Sequence, residues 1–161
     1  MMRNIFIFII LFFLFIFQIF FLNNLSLFKY LNLVLIFIIF FSSSKKNFFL
    51  ILGVAILGGL IMDTGSFFPR GFFSLNLIFL TFVLYFLAKR IDLKTLSGFL
   101  FFSFLGIIFY QIFLFLSAYL LFFLGAITIR PLINQIYLFD FFYFLIVNLV
   151  ITQIPQIIKK K

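Results

Sequence analysis

The chain has 161 residues, of which 67% are hydrophobic and 9% charged, with a net charge of +9 and neither cysteine nor histidine. A soluble domain carries about 25% charged residues, so this composition excludes a water-covered globule and points to the bilayer as solvent. The missing Cys and His exclude disulfides, thiol nucleophiles, the usual zinc ligands and the commonest general base.

Residues 1–161 leave no stretch for a separate soluble domain and read as a single integral membrane domain. The first apolar run is Ile5 to Leu22, after Arg3. A signal peptide has a shorter apolar region and a small-residue cleavage site. Asn23-Asn24-Leu25-Ser26 is a poor site, so an uncleaved first helix is expected. The second run is Leu25 to Phe41, with Lys29 able to snorkel to the interface. Ser42 to Asn47 reads as a polar loop.

The third run, Phe48 to Met62, is about 15 residues, or about 22 Å at 1.5 Å per residue. That is short of the roughly 30 Å hydrocarbon core. Irregular backbone at membrane depth is tolerated only under a cover of protein or water, so residues 63–70 are expected to pack and not to float. The fourth run starts at Pro69 or Gly71 and ends at Ala88. The fifth runs from Leu96 to Leu124. Ile127 to Tyr137 reads as a loop with a short interfacial piece, and the last run is Leu138 to Pro155 or a little beyond. The fold expected is all-α and polytopic, with six transmembrane helices. The 34 phenylalanines reflect a compositional bias and are assigned only lipid contact and packing.

Charge sets the orientation. With six spans, Lys29, Arg70 and Arg130 fall on one side and every other Lys and Arg on the opposite side. The positive-inside rule then places both termini in the cytoplasm of a cell-membrane protein. Topology accounts for the basic charge, so no nucleic-acid partner is expected.

Gly58 to Asn76 interrupts the apolar pattern and holds Asp63, one of three acidic residues. A carboxylate near mid-membrane costs about 2.5–3.5 kcal/mol and is kept where it has a partner or a role. The bland reading is a turn: Asp63 and Ser66 bond nearby backbone N–H groups. Pro69 fixes the start of the fourth helix, Gly71 admits neighbouring backbone, and Asn76 reaches back toward the break. Asn148 in the last helix is the other notable polar group, expected in interhelical packing.

The pattern Gly59-x-x-x-Asp63-x-x-Ser66-x-x-Pro69-x-Gly71, ending one helix and starting another, resembles the rod shape-determining protein MreD family. Tyr85-Phe-Leu-Ala-Lys-Arg90 at the end of the fourth helix is similar too, as is Asn148-Leu-Val in the last, ahead of basic residues. The resemblance implies a non-enzymatic scaffold subunit of the bacterial rod complex, which maintains cell shape and positions peptidoglycan synthesis. It implies an MreC-like single-span partner and, indirectly, an MreB-like cytoskeleton and peptidoglycan synthases. It also implies a fold similar to the substrate-binding subunits of energy-coupling-factor transporters. No catalytic residue, metal or cofactor is expected. Gly59, Asp63, Ser66, Pro69, Gly71, Asn76 and Asn148 are the structural or partner-binding candidates.

Two other functions compete. A vitamin-binding transporter subunit would present an Ala-x-x-x-Ala-type face on the first helix, and residues 5–22 contain neither Ala nor Gly. An intramembrane enzyme would need Asp63 and Asp140 in one site to split their pKa values, and nothing in the spacing brings them together.

Reporter fusions test the topology. Junctions after Lys46, Lys94 and Lys161 should report cytoplasm, and junctions near Asn24, Phe68 and Asn134 the outer side. Termini on opposite sides would overturn the six-span arrangement.

Overall fold

The computed structural model describes residues 13, 15–17, 31–44, 47–64, 66, 68–127 and 135–158, with the side chains of the last helix described over 142–153. Most of the expected first helix, Lys29, Lys45, Lys46, Gly65, Phe67, Arg130, the Asp140 side chain and the terminal lysines lie outside the described residues. Among the described residues the protein is all-helical, without a strand. Five helices have defined bounds: α1 Leu33–Ser43, α2 Phe48–Thr64, α3 Phe72–Arg90, α4 Leu96–Phe123 and α5 Gln135–Ile158. Phe13 and residues 15–17 are also helical.

Several boundaries have a local cause. Asn32 caps α1: its backbone is extended and its side chain accepts from the Leu35 N–H at 3.0 Å. Such a side chain satisfies one of the four N–H groups a helix leaves unpaired at its start. Thr95 caps α4 in the same way, accepting from the Gly98 N–H at 3.1 Å. At the other end of α4 the Ala126 N–H donates to the Leu121 carbonyl and the Gly125 N–H to that of Phe122. With Gly125 at φ 70°, this is the Schellman arrangement. Lys89 and Arg90 close α3, where cations meet the negative end of the helix dipole.

Two expected boundaries move. Leu31 and Asn32 are not helical, so Leu25 to Phe41 is not one continuous helix; Asn32 interrupts it by capping α1. α3 begins at Phe72 with Gly71 as its N-cap, in line with the later of the two expected starts. α5 begins at Gln135, three residues before the expected Leu138, and runs a little beyond Pro155 to Ile158.

The short helix α1 lies at the centre and touches α2, α3, α4 and α5. Leu35, Ile38 and Ile39 are fully buried there, against Ile51 and Val54 of α2, Leu77, Leu80 and Leu84 of α3, and Phe102 and Ile107 of α4. The outside is as apolar as the inside. Phe49, Leu75, Phe86, Leu116 and Phe123 are all exposed. α3 and α4 are long and apolar enough to cross a membrane, whereas α1 and α2 are shorter apolar helices.

Core and surface should respond differently to the same change. Leu35→Ala should cost about 2–5 kcal/mol through lost contacts and a cavity. Leu75→Ala, on the exterior, should stay within about 0.5 kcal/mol. Denaturant titration in detergent reads both, and equal losses would overturn the assignment of α1 to the core.

Candidate functional site

Among the described residues, the antiparallel pair α2 and α3 makes the most extensive helix contact. Gly59 lies where they touch. A Cβ there would fall on the Ser74 Cα and come within 2.6 Å of its backbone nitrogen. Only glycine allows this separation. Four residues on, and therefore on the same face of α2, Asp63 is buried at 6% exposure.

Asp63 reaches across the break and holds the start of α3. Its Oδ2 accepts from the Gly71 N–H at 2.9 Å and the Ser74 hydroxyl at 3.0 Å, and its Oδ1 accepts from the Phe73 N–H at 2.9 Å. The acidic residue is thus the N-terminal cap of a helix other than its own. A negative group at a helix N-terminus also meets the positive end of the dipole. This agrees with the structural role expected for Asp63, and it adds Ser74, which the sequence reading had passed over.

The other break residues act differently from expectation. Ser66 donates and does not accept: its N–H and hydroxyl lie 3.3 and 3.2 Å from the Asp63 carbonyl. Pro69 lies outside α3, and its carbonyl accepts from the Phe72 N–H. Gly71 has φ 92° and ψ −8°, the values of the third residue of a type II turn, which favour glycine. A Cβ on Gly71 would meet nothing within 4 Å. Backbone conformation and not close approach therefore requires glycine there, while close approach is the property of Gly59. Phe68 stacks on Phe72 with ring centroids 4.2 Å apart, so it supports the turn and is not a free contact.

Asn76 does not reach the break. Its amide donates to the Phe72 carbonyl at 2.8 Å, and its Oδ1 lies 3.0 Å from the Ser117 hydroxyl of α4. Beside this pair α3 and α4 diverge into an open groove of about 550 Å³, walled by Leu75, Phe79, Phe113, Leu116 and Leu120, with Arg70 at its end. Arg70 is exposed and has no ion-pair partner among the described residues.

Asn148 belongs to a second cluster. It is fully buried, accepts from the Asn32 N–H at 2.9 Å and donates to the Phe144 carbonyl at 2.8 Å. The Asn32 amide donates to the Tyr110 hydroxyl at 3.0 Å, and Tyr110 stacks on Phe144. Three side chains from the α1 cap, α4 and α5 thereby join at one buried point. Asn32 and Tyr110 were missed. The available signal was a strong N-cap residue directly before an apolar run.

No known protein family, curated protein or solved structure shows significant similarity to the chain.

Loss of the Asp63 acceptor should cost about 1–3 kcal/mol, because Asp63→Ala leaves two backbone N–H groups and a hydroxyl unpaired. Gly71→Val should cost about 1–3 kcal/mol through strain, and Gly71→Asn less, since Asn tolerates a left-handed backbone. Thermal unfolding in detergent gives this order. A Gly71→Asn as damaging as Gly71→Val would mean that space, and not φ, decides the position.

Proposed function

We propose that the protein is a non-enzymatic membrane scaffold of the bacterial rod complex, with six spans, both termini in the cytoplasm and an MreC-like single-span protein as its partner. Through that partner it serves an MreB-like cytoskeleton and peptidoglycan synthases, and so cell shape. The observation that carries the reading is the groove between α3 and α4, whose apolar walls suit a helix more than a hydrophilic ligand. Its α3 wall is held rigidly at one end by the Asp63 cap. The resemblance of the Gly59 to Gly71 pattern to MreD supplies the partner's identity.

The commitment of Asp63 supports a binding role over a catalytic one. Its two oxygens accept three hydrogen bonds from α3 and its approach, which leaves little capacity for moving a substrate proton. Membrane helices associate through close van der Waals packing and interhelical hydrogen bonds. The groove offers packing from Leu75, Phe79, Leu116 and Leu120, and one polar point at Asn76 and Ser117.

Co-expression with an MreC-like single-span protein tests the proposal. A photo-crosslinker at Leu116 or Leu75 should capture the partner's span, and one at exposed Phe101, outside the groove, should not. Leu116→Trp, which fills the groove, should lower co-purified partner at least tenfold with the scaffold's abundance unchanged. Asp63→Ala should lower both together. Capture from Phe101 alone, or full recovery with Leu116→Trp, would overturn the groove as the docking site.

A further inference from the structure

We infer that the recess between the C-terminal ends of α1 and α3 binds the headgroup of an anionic phospholipid in the cytoplasmic leaflet. The recess has a volume of about 440 Å³ and is walled by Ser43, Ser44, Lys89, Arg90, Asp92 and Lys94, among others. This rests on the membrane reading above but not on the rod-complex partner, and it concerns the end of α3 opposite the groove.

Three cations surround a concave space. Lys89, Arg90 and Lys94 are exposed, and none has a carboxylate within ion-pair distance among the described residues. The one acid in the wall, Asp92, is occupied locally: its Oδ1 accepts from the Lys94 N–H at 3.1 Å, and its carbonyl from the Thr95 hydroxyl at 3.1 Å. It shapes the turn and forms no ion pair with the cations, and its charge still leaves the wall with an excess of positive charge. The Ser43 and Ser44 hydroxyls both donate to the Phe40 carbonyl, so recognition falls to the cations.

The topology rule explains why basic residues lie at this end. It does not explain their arrangement around a recess with a local excess of positive charge. A basic pocket between helices on the cytoplasmic side is the kind of site that holds an anionic headgroup. A lipid is favoured over a free anion by the adjoining surface. Phe86 and Phe82 are exposed one and two turns before the recess on α3, and the Lys89 ammonium lies 4.5 Å from the Tyr85 ring centroid and 5.7 Å from that of Phe86. An acyl chain has an aromatic track to follow away from the charged end.

The test uses the full chain in phosphatidylcholine nanodiscs doped with phosphatidylglycerol of the same chain length, with retained lipid read by native mass spectrometry after mild extraction. Phosphatidylglycerol should be retained in clear preference. Each of Lys89→Ala, Arg90→Ala and Lys94→Ala should lower that retention about fivefold, corresponding to about 1 kcal/mol per cation near the surface. Arg70→Ala, at the far end of α3, should leave it unchanged. Equal retention of both lipids by the unaltered protein overturns the site without reference to any variant. An equal loss with Arg70→Ala overturns it in favour of diffuse charge. Stabilisation by inorganic phosphate that the same three variants abolish, without lipid preference, overturns the lipid in favour of a free anion. Failure to enter phosphatidylcholine nanodiscs overturns the membrane reading, and the headgroup site falls with it.

Discussion

A carboxylate taken out of water must replace the hydrogen bonds it leaves behind, and the arrangement of α2 and α3 follows from how Asp63 does so. The N-terminus of a helix offers unpaired N–H groups in one direction, so a single acceptor satisfies itself and the helix together. That exchange needs the two helices close and α3 correctly aimed. Gly59 supplies the closeness by admitting the Ser74 backbone, and Gly71 supplies the aim through its positive φ. Removing water from an ion costs several kcal/mol even after relaxation, so a partly formed hairpin is a poor resting state. The end of α2 and the start of α3 are consequently tied together, and the groove beyond has one anchored wall.

The same logic governs the second cluster at another depth. Asn32 ends the non-helical approach to α1, and its own N–H would be unpaired without Asn148. Its side chain caps α1 through Oδ1 and meets Tyr110 through Nδ2. Hydrogen bonds between membrane helices average only about 0.6 kcal/mol. The importance of this cluster lies in direction: it fixes the rotation of α4 and α5 about α1, where apolar contacts alone would accept several.

Asp63 was legible in the sequence because an isolated acid beside glycines has few explanations, and its capping role followed from the need to pair backbone groups. The extents of α3 and α4 were legible within a few residues because polar punctuation bounds them. Asn32 was not, since hydropathy averages over a window and one Asn among Leu, Val and Ile barely lowers it. Gly59 and Gly71 are both legible as special glycines, but sequence does not say whether a glycine serves space or φ; at Gly71 the conformation is present and the close approach is not. Ser74 and Ser117 look like ordinary small residues until their partners are known.

The pairing of Asn32 with Asn148 also constrains the order of assembly. The two residues are 116 apart in sequence. A ribosome releases the α1 segment long before it makes α5, so the Asn32 N–H waits for nearly the whole chain. During that interval α1, only 11 residues long, has neither the length of a membrane-crossing helix nor its final acceptor. The packing of α1 on α2 and α3 needs only neighbouring chain, whereas its polar anchor needs α5.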